Sequence, residues 1–361
     1  MKPSDERSYR LGVIAGDGIG PEIVDSARAV LATVATLVEF DYELIEISGG
    51  AGTYLATGSA LSSEDLEVVR SADATLKGPV GHPDVRLPNG TEAGLLGGIL
   101  RGGLDLFANV RPVLALPGVD GPLRLDPGSV DYVIVRENTE GLYASRGKGV
   151  GNDYAMTDTL LVTRHGTERV VRYAFQLARL RKGAPSDGIR RVTCIDKANV
   201  LRSFYFFRQV FLEVAAEFPE IEAECRYVDA AALELVLDPG HFDVIVTENL
   251  FGDVLSDLGG ATVGGIALCP SGNIGEKAAY FEPIHGSAPN LVGTGQANPI
   301  GQIFSLVMLL SHIGEHAAAT AVRTAIVGTL ERGEIAVERS GAVRGGAEAV
   351  TTAILNSLVL E

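Results

Sequence analysis

Short apolar runs alternate along the chain with longer stretches in which apolar residues return every three or four positions. Residues 11–15 form the first run, which stops at Gly16-Asp17-Gly18-Ile19-Gly20-Pro21. The period that follows predicts a helix over 22–38, and a polar–apolar alternation predicts a strand over 42–47. Residues 132–135, 192–195 and 244–247 are compact apolar runs of strand length. Helical periods follow at 201–218 and 301–319, each read as one helical stretch. Residues 146–156 are glycine-rich, polar and weakly periodic, which predicts a loop or excursion. This alternation makes an α/β protein with a largely parallel core. No internal repeat, low-complexity tract or obvious linker interrupts it.

The glycine-rich turn invites comparison with the dinucleotide fingerprint GxGxxG. Here it reads GxGxG, with the third glycine one residue early. Glu46 is only a loose candidate for the acidic residue that such a fingerprint requires. The simpler reading is a tight strand-to-helix turn with Pro21 at the first helical position. Composition changes this picture little. The 361 residues suffice for two domains or one large α/β unit, and 46% hydrophobic content supplies a core. A formal net charge of −16 argues against broad nucleic-acid binding, which needs a basic surface, and is read as serving solubility. Cys194, Cys225 and Cys269 form no CxxC pair, so neither a disulfide framework nor a zinc site is expected, and a reducing cytoplasm fits. The polar opening segment is not a secretion signal, and no apolar stretch has the length of a membrane span.

Three short regions carry most of the chemical signal. In Asp253-Val-Leu-Ser-Asp257 two carboxylates stand four residues apart, which puts both on one helix face within reach of one divalent cation. Mg²⁺ and Mn²⁺ favour such oxygen donors. A solvated acidic face is the plain alternative, against which the apolar neighbours Leu250, Phe251, Val254, Leu255 and Leu258 argue. In Arg136-Glu137-Asn138-Thr139-Glu140-Gly141-Leu142-Tyr143 an Arg at a strand end precedes a Tyr by seven residues. Arg suits bidentate carboxylate binding and Tyr can serve as a general acid; a surface loop with an aromatic anchor is the alternative. Lys197 follows the run at 192–195 and suits proton transfer if it lines a cleft, an exposed Lys being the plain alternative. Arg101 and Arg111 bracket a helix-to-strand segment and could add carboxylate contacts.

Taken together and in order, these residues resemble the β-decarboxylating dehydrogenases: the isocitrate, isopropylmalate, homoisocitrate and tartrate/D-malate enzymes. The likeness starts at Gly16-Asp17-Gly18-Ile19-Gly20-Pro21-Glu22 and continues through Asp105-Leu-Phe-Ala-Asn-Val-Arg111-Pro112. The stretch from Arg136 to Tyr143, Lys197-Ala-Asn-Val200 and Tyr227-Val-Asp229-Ala230 follow. Asn249-Leu-Phe-Gly-Asp253-Val-Leu-Ser-Asp257, Pro270-Ser-Gly-Asn-Ile-Gly275, Glu282-Pro-Ile-His285-Gly286-Ser287-Ala288-Pro289 and Asn298-Pro299 complete it.

The resemblance implies an isopropylmalate-dehydrogenase-like two-domain α/β fold with a non-Rossmann cofactor site. Residues 1–106 and 264–361 would form a large cofactor-binding domain with both termini. Residues 107–263 would form a central domain with the dimer interface, metal and catalytic residues. Arg101, Arg111 and Arg136 would hold the malate carboxylates. Asp253 and Asp257, with Asp229 of the partner subunit, would bind Mg²⁺ or Mn²⁺. The partner subunit's Lys197 would assist deprotonation of the hydroxyl, and Tyr143 would protonate the enol left after CO₂ departs. NAD would lie along Glu282, His285, Gly286, Ser287, Ala288, Pro289, Asn290 and Asn298. The implied protein is a cytoplasmic homodimer with shared active sites and a hydroxy di- or tricarboxylate substrate, without nucleic-acid or membrane partners.

In this family the choice of malate depends on the residues leading into the helix of Arg101. Isopropylmalate enzymes carry bulky apolar residues three and four positions before that Arg, where Gly98 and Gly97 stand here. Glu92-Ala-Gly-Leu-Leu96 resembles an isopropylmalate segment displaced by two residues. Lys77, in Leu76-Lys77-Gly78-Pro79, resembles the isocitrate-enzyme Lys that faces the distal carboxylate. The expected substrate is therefore a 3-substituted malate with an acidic distal arm: isocitrate, homoisocitrate or a phosphonate analogue such as 3-phosphonomethylmalate. The paired glycines would leave room, or backbone N–H groups, for a larger oxyanion. The alternatives are 3-isopropylmalate or tartrate/D-malate, with Lys77 in a structural ion pair. A catalytically silent regulatory subunit is the alternative from another class, against which Tyr143, Lys197, Asp229, Asp253 and Asp257 argue. Asn290-Leu291 in place of the Lys-Tyr pair of NADP enzymes favours NAD, while Arg339 and Arg344 leave NADP open.

Overall fold

Residues 7–359 are described by the structure, a computed structural model, and they carry the expected alternation of strands and helices. In chain order these are β1 (Ser8–Ile14), α1 (Gly20–Val38), β2 (Asp41–Glu46), α2 (Ala51–Thr57), α3 (Ser63–Ser71), β3 (Ala74–Lys77), α4 (Gly97–Gly103) and β4 (Ala108–Leu114). Next come β5 (Asp131–Glu137), β6 (Val150–Asn152), β7 (Ala155–Thr157), α5 (Arg164–Leu180), β8 (Arg191–Asp196), α6 (Arg202–Ala215), β9 (Glu222–Tyr227) and α7 (Val228–Leu237). The last are β10 (Val244–Thr247), α8 (Asn249–Thr262), β11 (Pro270–Ile274), β12 (Ala279–Pro283), α9 (Ile300–His312), α10 (His316–Glu331) and α11 (Gly346–Ser357).

Two compact units result. The first runs to Leu104, takes in Leu116–Arg124 and resumes at Gly264; the second holds Asp105–Ala115 and Leu125–Val263. In the first unit the strand order is β2-β1-β3-β12-β11, parallel except for the β11–β12 pair. In the second it is β4-β5-β10-β8-β9, parallel except for β4–β5. β3, β8 and β10 are buried along their whole length, which is why they read as unbroken apolar or mixed runs and not as alternations.

Two sequence expectations need correction. The stretch 301–319 is two helices, because the chain turns at Gly314 (φ +91°), whose left-handed backbone ends α9 before α10 begins. The excursion at 146–156 contains the β6–β7 hairpin, whose strand residues are all exposed. Its apolar Val150 and Met156 alternate with small and polar residues too briefly to register as strands.

The glycine-rich turn after β1 is a structural joint. Gly16 (φ +81°) and Gly18 (φ +58°) are left-handed, and a Cβ on Gly18 would stand 2.0 Å from the Ser287 carbonyl oxygen. The Asp17 N–H donates to the Pro79 carbonyl at 2.9 Å and the Ile19 N–H to that of Ser287 at 2.9 Å. The Asp17 carboxylate accepts the N–H groups of Ala51 (2.7 Å), Gly52 (2.9 Å) and Gly81 (2.8 Å). One side chain thus ties the turn to the start of α2 and to the segment after β3. With these groups spent on protein, the turn is no phosphate cradle, in line with its spacing.

Strand pleat and register sort the first sheet into two kinds of face. Gly272, Phe281 and Leu76 are register neighbours on the side where Gly272 leaves room for Met308 of α9. Ser271, Asn273, Tyr280, Glu282, Thr75 and Lys77 alternate with them onto the opposite side. That side is polar yet largely buried. In the second unit α8 starts on Glu248, whose side chain caps the helix by accepting the Phe251 N–H at 2.8 Å. Burial pushes the Glu248 carboxyl above the usual glutamate range.

Asp17→Ala is expected to destabilise the fold by about 2–3 kcal/mol, since three N–H groups lose a charged acceptor. Urea denaturation checks this, and an unchanged midpoint would contradict it. Glu248→Gln tests the buried cap. A carboxyl whose value is raised in the folded state opposes folding while ionised and ceases to do so once protonated. Wild type should gain stability relative to Glu248→Gln as pH falls from the folded-state value toward the ordinary glutamate value. At pH 8 the Gln variant should be at least as stable, measured by denaturation across pH.

Candidate active site

In the second unit, parallel β5 and β10 end together, with Arg136 paired in register to Thr247, and α8 begins just beyond. The end of parallel strands is where α/β folds gather functional side chains. Arg136 is 1% exposed. Its Nε and Nη2 donate to Asn249 Oδ1 at 2.9 and 2.7 Å, and its Nη1 donates to Asp253 Oδ1. The Tyr143 ring centroid lies 5.3 Å from the guanidinium carbon. Gly252 makes room for this: a Cβ there would come within 2.6 Å of the Arg136 side chain.

Asp253 is the meeting point of the cluster. Tyr143, from the turn Leu142–Ser145, donates its hydroxyl to Asp253 Oδ2 at 2.7 Å. Arg111, on β4, brings Nη1 to 3.2 Å from Asp253 Oδ1 and 3.8 Å from Asp257 Oδ1. Arg111 is itself held by Asn109 and by Ser256 Oγ at 2.7 Å. The i, i+4 spacing of Asp253 and Asp257 does fall on a helix, α8, as expected. Their oxygens are hard donors that fit Mg²⁺ or Mn²⁺. Among the described residues no three His, Cys, Asp or Glu side chains gather as a metal site.

Lys197 and Asp229 are brought together elsewhere in the same unit. Lys197 follows β8, and Asp229 lies in the first turn of α7. Lys197 Nζ donates to Asp229 Oδ1, and this hydrogen bond holds the Asp229 carboxyl below the usual aspartate range. The turn under Lys197 is fixed by the fully buried Asp196, which accepts from the Ala198 N–H at 2.8 Å and from Arg208 at 2.7 and 2.8 Å. Within one chain Asp229 therefore pairs with Lys197 and does not join Asp253 and Asp257.

The first unit holds Arg101, Lys77 and the loop after β12. Gly97 and Gly98 open α4, and a Cβ on Gly97 would only graze the Arg101 guanidinium at 3.7 Å. Arg101 Nε donates to Asn273 Oδ1 at 3.1 Å and to Tyr280 Oη at 3.3 Å. Lys77, 2% exposed, donates to the Glu282 carboxylate and, at 3.1 Å, to the Gly78 carbonyl. The ammonium is buried against a carboxylate of the protein, the structural ion pair that the sequence offered as the alternative to a distal substrate carboxylate.

The loop expected to hold NAD divides into anchors and available groups. Ser287 donates to the Gly81 carbonyl at 2.6 Å, and Asn298 donates to the Gly341 carbonyl at 2.8 Å while accepting the Ile300 N–H at 3.0 Å. Those side chains, with Glu282, make hydrogen bonds within the protein. Ala288 (φ 39°) bends the loop, Pro289 starts a short turn, and Gly286 and Asn290 are exposed. His285 Nδ1 bonds the Gly286 carbonyl at 2.9 Å, so that nitrogen carries the proton. Its Nε2 is a buried acceptor without a partner, and burial pushes the imidazole value down, keeping the ring neutral.

Sequence reasoning missed Asn249, Asn109, Ser256, Asn273 and Tyr280. Each is a polar side chain at a buried position whose partner is an arginine already singled out. The available signal was position: Asn109 lies two residues from Arg111 on one strand face, and Asn249 lies four from Asp253 on one helix face.

A sequence model described as isocitrate/isopropylmalate dehydrogenase matches residues 10–355. The chain is 43% identical to the 3-isopropylmalate dehydrogenase of Corynebacterium efficiens, over 88% of this chain and 92% of that one. It is 41% identical to the 3-isopropylmalate dehydrogenase of Leifsonia xyli subsp. xyli, over 98% of each. Among solved structures it is similar to the isocitrate dehydrogenase of Methylococcus capsulatus (TM-score 0.85, 36% identity), covering 97% of this chain and 99% of that one. It is also similar to a β-decarboxylating dehydrogenase of Thermococcus kodakarensis (TM-score 0.78, 38% identity), covering 97% and 96%. With ordered motifs, fold and near full-length identity in agreement, the chain belongs to the isocitrate/isopropylmalate dehydrogenase family and is a β-decarboxylating dehydrogenase.

Proposed function

We propose that the chain oxidatively decarboxylates 3-isopropylmalate, with NAD as hydride acceptor and Mg²⁺ or Mn²⁺ as cation. The observation that carries this substrate is the run of relatives named 3-isopropylmalate dehydrogenase at 41–44% identity. A physical argument supports it. An acidic distal arm needs a cation, and the Lys77 ammonium is buried against Glu282. The acidic-arm reading thereby loses its main support, and the apolar arm takes its place.

In this reading Arg101, Arg111 and Arg136 clamp the two malate carboxylates, a task suited to planar guanidinium groups already braced by Asn273, Ser256 and Asn249. Asp253 and Asp257 would hold the cation, and Asp229 of the partner subunit would supply the third carboxylate. When bound, the cation would stabilise charge developing on the hydroxyl oxygen and the adjacent carboxylate, and NAD would accept the hydride. The partner subunit's Lys197 takes the hydroxyl proton. Tyr143 returns a proton to the enol carbon; its hydroxyl already hydrogen-bonds Asp253, one of the proposed cation ligands. On the NAD side, the buried, neutral Nε2 of His285 is an acceptor that an N–H of the nucleotide base would satisfy.

A homodimer follows from the shared ligands. The second unit also exposes apolar side chains that a second copy would cover, among them Val150 (75%), Tyr154 (97%), Leu237 (72%) and Val254 (60%).

Turnover of 3-isopropylmalate, isocitrate, homoisocitrate, D-malate and 3-phosphonomethylmalate tests the substrate. The expected order has 3-isopropylmalate first by kcat/KM with NAD, activity lost on chelation and restored by Mg²⁺ or Mn²⁺. Preference for isocitrate would reverse the assignment. Shared sites predict complementation: Asp253→Asn and Asp229→Asn homodimers, each inactive, should regain activity on subunit exchange, because a mixed dimer has one intact site. Persistent inactivity of exchanged dimers would count against sites built from two chains.

A further inference from the structure

Lys77 remains to be explained. It is a buried charge at the end of β3, in an enzyme whose proposed substrate offers it no partner. We propose that Lys77 is a positioning residue that keeps Arg101 available to the substrate by neutralising Glu282. The proposal rests on the reading above, in which Arg101 binds a malate carboxylate.

The geometry makes Glu282 a carboxylate shared between two cations. Lys77 Nζ donates to Oε2. Oε1 lies 3.5 Å from Arg101 Nη2 and accepts from Asn273 Nδ2 at 3.3 Å. Tyr280 joins the group: Lys77 Nζ stands 5.7 Å from its ring centroid, and its hydroxyl accepts from Arg101 Nε at 3.3 Å. Pleat and register put Lys77, Glu282, Asn273 and Tyr280 on one side of the first sheet, and the hydrogen bonds bring Arg101 of α4 to them.

Charge counting gives the consequence. Lys77, Arg101 and Glu282 together carry one net positive charge. Lys77 occupies the carboxylate, so the longer Arg101 contact steers the guanidinium without capturing it. Without Lys77 the remaining pair is neutral, and in a poorly solvated setting opposite charges collapse onto each other. A substrate carboxylate would then have to break that pair. Losing a cation that acted directly on the substrate would weaken only substrates with a distal carboxylate. Losing one that acts through Glu282 weakens all of them alike, because every malate presents the carboxylates that Arg101 reads.

The test is steady-state kinetics at saturating NAD with Lys77→Met, Lys77→Arg, Glu282→Gln and the double variant. Lys77→Met should raise KM about tenfold with kcat within about threefold, the size of a lost charge-assisted hydrogen bond. The same factor is expected for 3-isopropylmalate, D-malate and isocitrate, and Lys77→Arg should restore most of the loss. In the Glu282→Gln background, removal of Lys77 should change KM by less than about twofold, since there is no carboxylate left to neutralise. That comparison stands even if Lys77→Met alone fails to fold. A loss confined to isocitrate, or a full tenfold loss in the Glu282→Gln background, would show that Lys77 meets the substrate directly and overturn the proposal. Wild-type protein that turns over none of these malates would instead remove the functional reading, and this inference with it.

Discussion

A guanidinium buried as deeply as that of Arg136 needs hydrogen-bond acceptors and a counter-charge, because an unpaired buried ion costs several kcal/mol, a large share of a domain's stability. The second unit is organised around meeting that demand. Asn249 takes two of the donors, Asp253 takes a third, and the Tyr143 ring covers the face. Gly252 stays without a side chain so that the Arg136 methylenes can pass. Glu248 caps the helix that carries both Asn249 and Asp253. What results is a guanidinium, a carboxylate and a phenol hydroxyl joined by hydrogen bonds at the end of buried parallel strands. The chemistry proposed for the enzyme needs those groups in fixed relation, and the burial constraint supplies it.

The first unit meets the same physical problem with a different balance. Its polar sheet face buries Lys77 and brings Arg101 to Glu282, with Asn273 and Tyr280 accepting from the Arg101 Nε. Lys77 thus looks like a substrate residue in sequence and behaves as a counter-ion in structure.

The ordered motifs, the α/β alternation and the carboxylate pair at 253 and 257 were legible because they depend on local spacing. Periodicity located α1, α6, β1, β2, β5, β8 and β10 within a few residues. It merged α9 and α10, since one left-handed glycine leaves the apolar period nearly intact on both sides. It passed over the β6–β7 hairpin, whose strands are three residues each and have no buried face to impose an alternation. The braces of the arginines stayed hidden for a related reason. A lone Asn or Ser carries no pattern until the residue it touches, often more than a hundred positions away, is known.

By itself the sequence determined the α/β alternation, that the GxGxG spacing departs from a dinucleotide fingerprint, and which acids, bases and arginines are candidates for the chemistry. These follow from backbone propensity and from spacing along one chain. Only the tertiary structure decided where each charge is spent. It turned Asp17 into a tie for three N–H groups, set Ser287 and Asn298 to holding the cofactor loop, and closed Lys77 onto Glu282. The physical reason is that the energy of a buried charge depends on its partners and its distance from water, and both are fixed by strand register and helix packing, not by the order of residues.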